Sequence, residues 1–144
     1  YIEPDELVNL IEVFWKEKDR FIDGYVQKNP LNLTYRNLNI IKDFKYGMRK
    51  NFLLAVYEKN YTVLNDEGIN YMVKGLNENL DKFIPAEKTP MLIQTAIMPF
   101  NGMIIYDGFI STADMQLSQE LVSKAFEDYS YGQKIYSLLP KNMN

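Results

Sequence analysis

Five basic side chains within fifteen residues form the first group whose types and spacing could do chemistry. They are Arg36, Lys42, Lys45, Arg49 and Lys50. Three of them follow one another at three- and four-residue steps, and Tyr46 lies among them. On a helix this spacing makes one basic face, which could contact phosphates while the tyrosine stacks on a base. A surface helix also carries solvated charges on such a face, and the pI near 5.0 favours that alternative.

Asp107 is the candidate for acid–base catalysis, because it stands inside an apolar strand-like segment. A desolvated carboxylate with a raised pKa could serve a small hydrolase-like enzyme, together with a Lys or Tyr. The structural alternative is a β-bulge or strand end at Asp107-Gly108, where the carboxylate caps neighbouring N–H groups or reaches water. Tyr106 is expected on the opposite face, and no second acid is placed to pair with Asp107.

The chain has no histidine and no cysteine, and this excludes several classes of chemistry. Histidine bases, thiol nucleophiles, imidazole or thiolate metal sites and disulfide scaffolds are all absent. The adjacent acids at 66–67 and 127–128 lack the further oxygen ligands of a calcium loop, and no glycine-rich phosphate loop occurs. We therefore expect no metal, no cofactor and a non-catalytic domain.

Length and composition predict one globular domain over residues 1–144, since the chain is 47% hydrophobic and 24% charged. The net charge of −3 does not predict an electrostatic hold on nucleic acid or lipid. Residues 1–60 carry a net charge of +1 and residues 61–144 one of −4. No apolar run is long enough to cross a membrane, and absent cysteine fits a reducing compartment, so we expect a soluble cytoplasmic protein.

Residues 1–60 are predicted to form a helical hairpin. Pro4 suits the first turn of a helix. Lys18 interrupts the apolar stripe of this helix, and Asn29-Pro30 ends the helix. A second helix is predicted from about residue 32 or 34 to about residue 59. Its stripe consists of Ile41, Phe44, Met48, Phe52 and Ala55 or Val56.

Residues 61–110 are predicted to form two β-hairpins, and together they give a four-stranded, mainly antiparallel sheet. Gly68 belongs to a four-residue loop in the first hairpin, and Asn101-Gly102 makes a two-residue turn in the second. That turn sets Phe100 opposite Met103, and its register places Gln94 opposite Phe109. Residues 111–144 are predicted to be helical after Ser118. The inward positions are Leu121, Val122, Ala125, Phe126 and Tyr129.

Two segments carry a resemblance to a known group. They are Val73-Lys74-Gly75-Leu76 and the run from Pro99 to Gly108. The chain resembles uncharacterised bacterial proteins with the signature V-x-G-L followed by P-F-x-G-x-I-x-Y-D-G, some of them described as SEC-C motif-containing. The SEC-C cysteines are absent here, so the resemblance implies no zinc function. It implies motif positions without a chemical role: Pro99, Phe100, Gly102, Tyr106, Asp107 and Gly108.

The function expected from these features is that of a bacterial α+β domain that recognises a protein partner or a second copy of itself. Eleven Tyr and eight Phe supply contact area at low entropic cost. This hypothesis requires a contiguous exposed patch of apolar or tyrosine side chains. Nucleic-acid contact through the basic helix face and an enzyme centred on Asp107 are the alternatives.

Overall fold

The computed structural model describes residues 3–75, 80–112 and 116–140 and shows an α+β fold. Its helices are α1 (Pro4–Lys16), α2 (Lys18–Lys28), α3 (Tyr35–Asp43) and α4 (Gln119–Tyr131). Its strands are β1 (Met48–Tyr57), β2 (Thr62–Asp66), β3 (Ile69–Lys74), β4 (Met91–Phe100), β5 (Met103–Tyr106), β6 (Ser111–Thr112) and β7 (Lys134–Ile135). Short 3-10 turns span Phe44–Tyr46, Leu80–Lys82 and Ala86–Lys88.

Five of the strands form a closed ring, a small β-barrel. The strand order is β1-β2-β3-β5-β4, and β4 pairs with β1 again. All of these pairings are antiparallel except that of β3 with β5, which is parallel. β6 extends the ring beside β4, and β7 lies parallel to β3. This is the connectivity of the five-stranded Greek-key OB-fold barrel.

The main core fills the inside of the barrel, because alternate residues of each strand point inward. Phe52, Leu54, Ile93 and Ile97 are among its buried members, and Leu80 packs with them from the connection between β3 and β4. Tyr57 closes the core at this connection through a 2.6 Å hydrogen bond from its hydroxyl to the Ile84 carbonyl. Burial raises the pKa of Tyr57 to about 12.

The predicted second helix was wrong beyond residue 43, where a 3-10 turn leads into β1 instead. The apolar run at 52–57 fits helical and strand periods alike, and only pairing with β2 and β4 decides between them. Gly47 marks the boundary: a Cβ there would lie 3.0 Å from the Ile97 carbonyl oxygen. The sheet therefore has more strands than the four predicted.

The predicted first helix is also divided, because Glu17 leaves helical geometry between α1 and α2. The break falls beside Lys18, the residue expected to interrupt the apolar stripe. The Lys18 ammonium donates a 2.6 Å hydrogen bond to the carbonyl oxygen of Lys45, so it faces protein rather than solvent. The predicted end at Asn29-Pro30 is confirmed, with Asn29 in the left-handed conformation.

Both predicted hairpins are present, with corrections at their ends. The turn at Asn101-Gly102 has positive φ at both residues, and Phe100 pairs with Met103 as expected. The first hairpin turns over two residues, Glu67 and Gly68, not four. The predicted pairing of Gln94 with Phe109 was wrong. Gln94 pairs with Ser111 because two extra residues follow β5.

α4 begins as predicted, with the Ser118 hydroxyl accepting a hydrogen bond from the Leu121 N–H. It contacts β1, β2 and β3 from outside the barrel. Its Ala125 is buried, whereas Leu121 and Phe126 are each 49% exposed, so their predicted inward positions were wrong. Among the described residues, no helix is both long enough and apolar enough to cross a membrane.

Candidate functional site

The five basic residues do not share one helix face, because β1 replaces the second half of the predicted helix. Arg36 and Lys42 lie exposed on α3, Lys45 lies in the following turn, and the other two lie on β1. Adjacent strand residues point to opposite faces, which separates Arg49 from Lys50.

Three of the five basic side chains are paired with acids. Lys45 forms an ion pair with Asp23, and Lys50 forms one of 2.9 Å with Asp66. Arg49 lies 3.5 Å from the Glu12 carboxylate. These pairings reduce the positive charge that is available to bind phosphates. Nucleic-acid contact stays a prediction, but the single basic helix face on which it was based is not present in these residues.

Arg49 of β1, Ala96 of β4 and Asp107, the residue after β5, come together on the barrel wall. Arg49 of β1 pairs with Ala96 of β4, and the N–H of Asp107 donates a 3.1 Å hydrogen bond to the Ala96 carbonyl. The three residues therefore lie at one level of the outer face, and α1 lies over it. The structure thus joins two residues that the sequence placed in separate hypotheses.

Asp107 and Arg49 hold the backbone of Phe109 between them. The Asp107 carboxylate accepts a 2.9 Å hydrogen bond from the Phe109 N–H, and Arg49 Nη1 donates one of 3.3 Å to the Phe109 carbonyl. The predicted cap at a strand end is confirmed, because β5 ends at Tyr106. The two charges fix the loop after β5, and the Phe109 ring is left 45% exposed.

The pKa of Asp107 is raised above its ordinary value, chiefly because the carboxyl is partly buried. The Phe109 N–H and the positive charge of Arg49 oppose this rise without cancelling it. Tyr106 packs against the core on the other face, as expected, so Arg49 is the basic group beside Asp107 rather than a Lys or Tyr. Nothing in this arrangement pairs Asp107 with a nucleophile.

Arg49 is the most deeply placed charge at this site. Its side chain is only 7% exposed, and its Nε is buried without a hydrogen-bond partner. A groove of about 410 Å³ runs beside it, lined also by Glu12, Trp15, Lys16 and Gln94. Trp15 lines this groove and also a second one.

The second groove, of about 290 Å³, is mostly apolar and has Asp107 in its wall. Its other lining residues are Leu10, Ile11, Phe14, Trp15, Met98 and Phe109. We call it the aromatic groove, since three of its side chains are aromatic rings. Apart from the neighbouring Phe14 and Trp15, no local pattern predicts this groove, because β5 and α1 are more than eighty residues apart.

Large apolar side chains stay exposed around the aromatic groove. They are Leu7, Val8, Leu10, Val13, Phe14, Phe21 and Phe109, between 37% and 56% exposed, and we call them the α1 apolar surface. Phe14 stacks on Phe21 with the ring centroids 6.1 Å apart. Phe14 also lines the aromatic groove with Leu10 and Phe109, so these three side chains and Phe21 form one contiguous patch.

The motif positions form the second hairpin and its exit. Pro99 is buried, Phe100 and Tyr106 are half-buried, and Gly102 and Gly108 have positive φ. Val73 of the other segment pairs with Ile104 in the parallel β3–β5 ladder, while Leu76 lies outside the described residues. No cluster of potential metal ligands occurs within the described part of the chain.

Comparisons with protein-family models, with curated proteins and with solved structures found no match to this chain. The likeness to the OB-fold therefore concerns strand connectivity alone. The resemblance to the bacterial proteins that share the two-segment signature stays a prediction.

Asp107→Asn and Asp107→Ala are expected to differ in stability. Asparagine keeps an oxygen for the Phe109 N–H, whereas alanine loses that bond and costs about 1 kcal/mol. A raised carboxyl pKa means that the folded state binds a proton more tightly, so ionisation of Asp107 lowers stability as pH rises through its pKa. Asp107→Asn removes that loss. Urea denaturation at pH 4 and pH 7 measures both effects, and equal losses in the two variants would contradict the cap.

Proposed function

We propose that this chain is a protein-interaction module that associates with a second copy of itself through the α1 apolar surface. The observation that carries the proposal is the exposure of seven large apolar side chains on and beside α1, four of which form one contiguous patch. Single exposed apolar residues are ordinary, but contiguous patches on a soluble domain mark contact sites. The proposal also includes the bacterial, non-catalytic character expected from the sequence.

The distribution of apolar residues around α1 supports a second contact. At 100° per residue, its apolar side chains from Leu7 to Trp15 cover roughly 220° of the helix circumference. Ile11 and Trp15 are half-buried against the rest of the chain, while Leu10, Val13 and Phe14 are exposed. One helix thus carries more apolar surface than its own domain covers.

The charges of α1 favour an antiparallel arrangement of two copies. Asp5 and Glu6 lie in the first turn, and Lys16 lies in the last. A twofold axis that pairs two α1 helices head to tail sets the acids of one copy beside Lys16 of the other. The interface would then be apolar at its centre and charged at its ends, as protein interfaces commonly are.

Sedimentation velocity over a range of protein concentrations tests the proposal. The expected result is a species of twice the 16.9 kDa chain mass, which Phe14→Asp weakens roughly a hundredfold by placing a charge at the centre of the contact. Phe126→Asp is the matched control, because Phe126 is at least as exposed as Phe14 but lies on α4. Lys16→Glu should weaken the dimer, and adding Glu6→Lys should restore it. A monomer at all concentrations, or equal effects of the two Asp variants, would refute the proposal.

A further inference from the structure

The aromatic groove has the walls of a site for an organic cation. The Phe14 and Trp15 rings stand at 90° to each other with their centroids 5.6 Å apart, and Phe109 lines the same groove. The two rings pack edge to face, and because aromatic faces carry negative charge density, the ring surface that lines the groove attracts a positively charged group.

Asp107 supplies the negative charge that such a site needs. It lines the groove, and its carboxylate accepts a hydrogen bond from the Phe109 N–H. Its desolvation is only partly compensated within the chain, since burial is the largest influence on its pKa. A bound cation would add a second positive charge to the one that Arg49 already places near Asp107.

Arg49 is not itself the cation of the aromatic groove, although its positive charge is close enough to act on Asp107. Arg49 lines the other groove together with Glu12, whose carboxylate lies 3.5 Å from Nε, and its Nη1 donates a hydrogen bond to the Phe109 carbonyl. The two grooves are lined by two acids, Glu12 and Asp107, and two bases, Lys16 and Arg49. Asp107 is the charged residue in the wall of the aromatic one.

We propose that the aromatic groove binds an alkylammonium group, with Phe14, Trp15 and Phe109 around the cation and Asp107 as its counter-ion. The group could be a lysine side chain of a polypeptide or a free quaternary amine, since both present a positive charge on an alkyl stem. The site shares Leu10, Phe14 and Phe109 with the α1 apolar surface but does not depend on self-association. Its occupancy in a dimer would be decided by which of the two contacts is stronger.

Trp15 is the only tryptophan of the chain, so its fluorescence reports directly on the groove. Choline is the first probe, and 3,3-dimethylbutan-1-ol is its uncharged isostere. The tripeptides Gly-Lys-Gly and Gly-norleucine-Gly, with blocked ends, make the same comparison for a lysine side chain. We expect a saturable change with at least one cation and a response about tenfold weaker, or none, with its uncharged counterpart.

Asp107→Asn tests the counter-ion while keeping the bond to Phe109, and it is expected to weaken cation binding about tenfold. Asp128→Asn, on α4, is the matched control and should bind like the parent chain. Phe109→Leu provides a second test that leaves all charges in place, with an expected loss of several-fold. Binding by the parent chain should also weaken as pH falls, because protonation removes the charge of Asp107.

The titrations are made at a protein concentration where sedimentation shows only monomer, so that a negative result concerns the groove and not the dimer. Equal responses to the charged and uncharged probes would overturn the proposal, as would unchanged cation binding by Asp107→Asn. If Phe14→Asp did not alter the mass while the parent chain still bound cations selectively, self-association would be refuted and the cation site would not.

Discussion

Gly132→Ala is expected to destabilise the protein by about 3 kcal/mol, because no space exists for the added methyl group. A Cβ at this position would lie 2.2 Å from the Gly68 carbonyl oxygen and 2.4 Å from the Asp128 carbonyl oxygen. Both obstacles are backbone atoms, one in the β2–β3 turn and one in the last turn of α4. Neither can move away by changing a rotamer, so the two elements themselves must separate.

The contact at Gly132 belongs to the attachment of α4 to the barrel. Asn70 is fully buried there: its side-chain amide donates to the Asp128 carbonyl, and its backbone N–H donates to the Gln133 carbonyl. Separation of α4 from the β2–β3 turn would leave these buried polar groups without partners, and each such loss costs about 1 to 3 kcal/mol. The destabilisation should therefore concentrate at α4 and β7.

Urea denaturation measures the overall loss, and amide hydrogen exchange at Asn70 and in β7 locates it. Gly24→Ala is the matched control, since Gly24 lies within α2 and a Cβ there meets no atom within 4 Å. That substitution should stabilise the protein by about 0.5 to 1 kcal/mol, the ordinary preference of a helix for alanine over glycine. If Gly132→Ala were as stable as Gly24→Ala, the close approach at the end of α4 would be disproved.

The attachment of α4 also bears on function. OB-fold barrels bind oligonucleotides and oligosaccharides on the face of their second and third strands. Here α4 contacts those strands, and Val63 of β2 and Met72 of β3 pack with Tyr129. The Tyr129 hydroxyl donates a 2.6 Å hydrogen bond to Glu58, which also pairs with Lys134. The chain thus covers that face with its own helix.

Local signals in the sequence were sufficient for several elements. Asn101-Gly102 fixes a two-residue turn because both residues tolerate positive φ, and the register of β4 and β5 follows from it. Ser118 similarly predicts the start of α4, because its side chain caps the helix. In each case the residues that determine the structure lie within a few positions of one another.

The barrel and the site depend on contacts between distant parts of the chain, and for that reason the sequence did not predict them. β1 acquires its strand geometry from β4, which begins more than thirty residues after β1 ends. Arg49 and Asp107 meet only because Ala96 lies between them in that pairing. A carboxylate and a basic residue 58 positions apart carry no mutual signal in a single sequence.

Phe52→Ala is the second large effect, with an expected loss of about 3 to 5 kcal/mol. Phe52 is completely buried inside the barrel, and its ring meets Tyr71 of β3 at a centroid distance of 5.9 Å. Alanine removes most of this side chain, and the surrounding strands cannot collapse into the cavity without breaking their pairing. The loss should appear in the free energy of unfolding measured with urea.

Leu53→Ala is the matched control, because it tests the strand geometry of β1 directly. Successive residues of a strand point to opposite faces, so Phe52 and Leu54 lie in the core while Leu53 points outward and is half-buried. We expect about 1 kcal/mol for Leu53→Ala and about 2 to 5 kcal/mol for Leu54→Ala. This large–small–large alternation is the signature of a strand, whereas a helix would bury Phe52 with residues three or four positions away. Equal losses at all three positions would contradict the strand geometry of β1. They would also contradict the strand pairing that brings Arg49 close to Asp107.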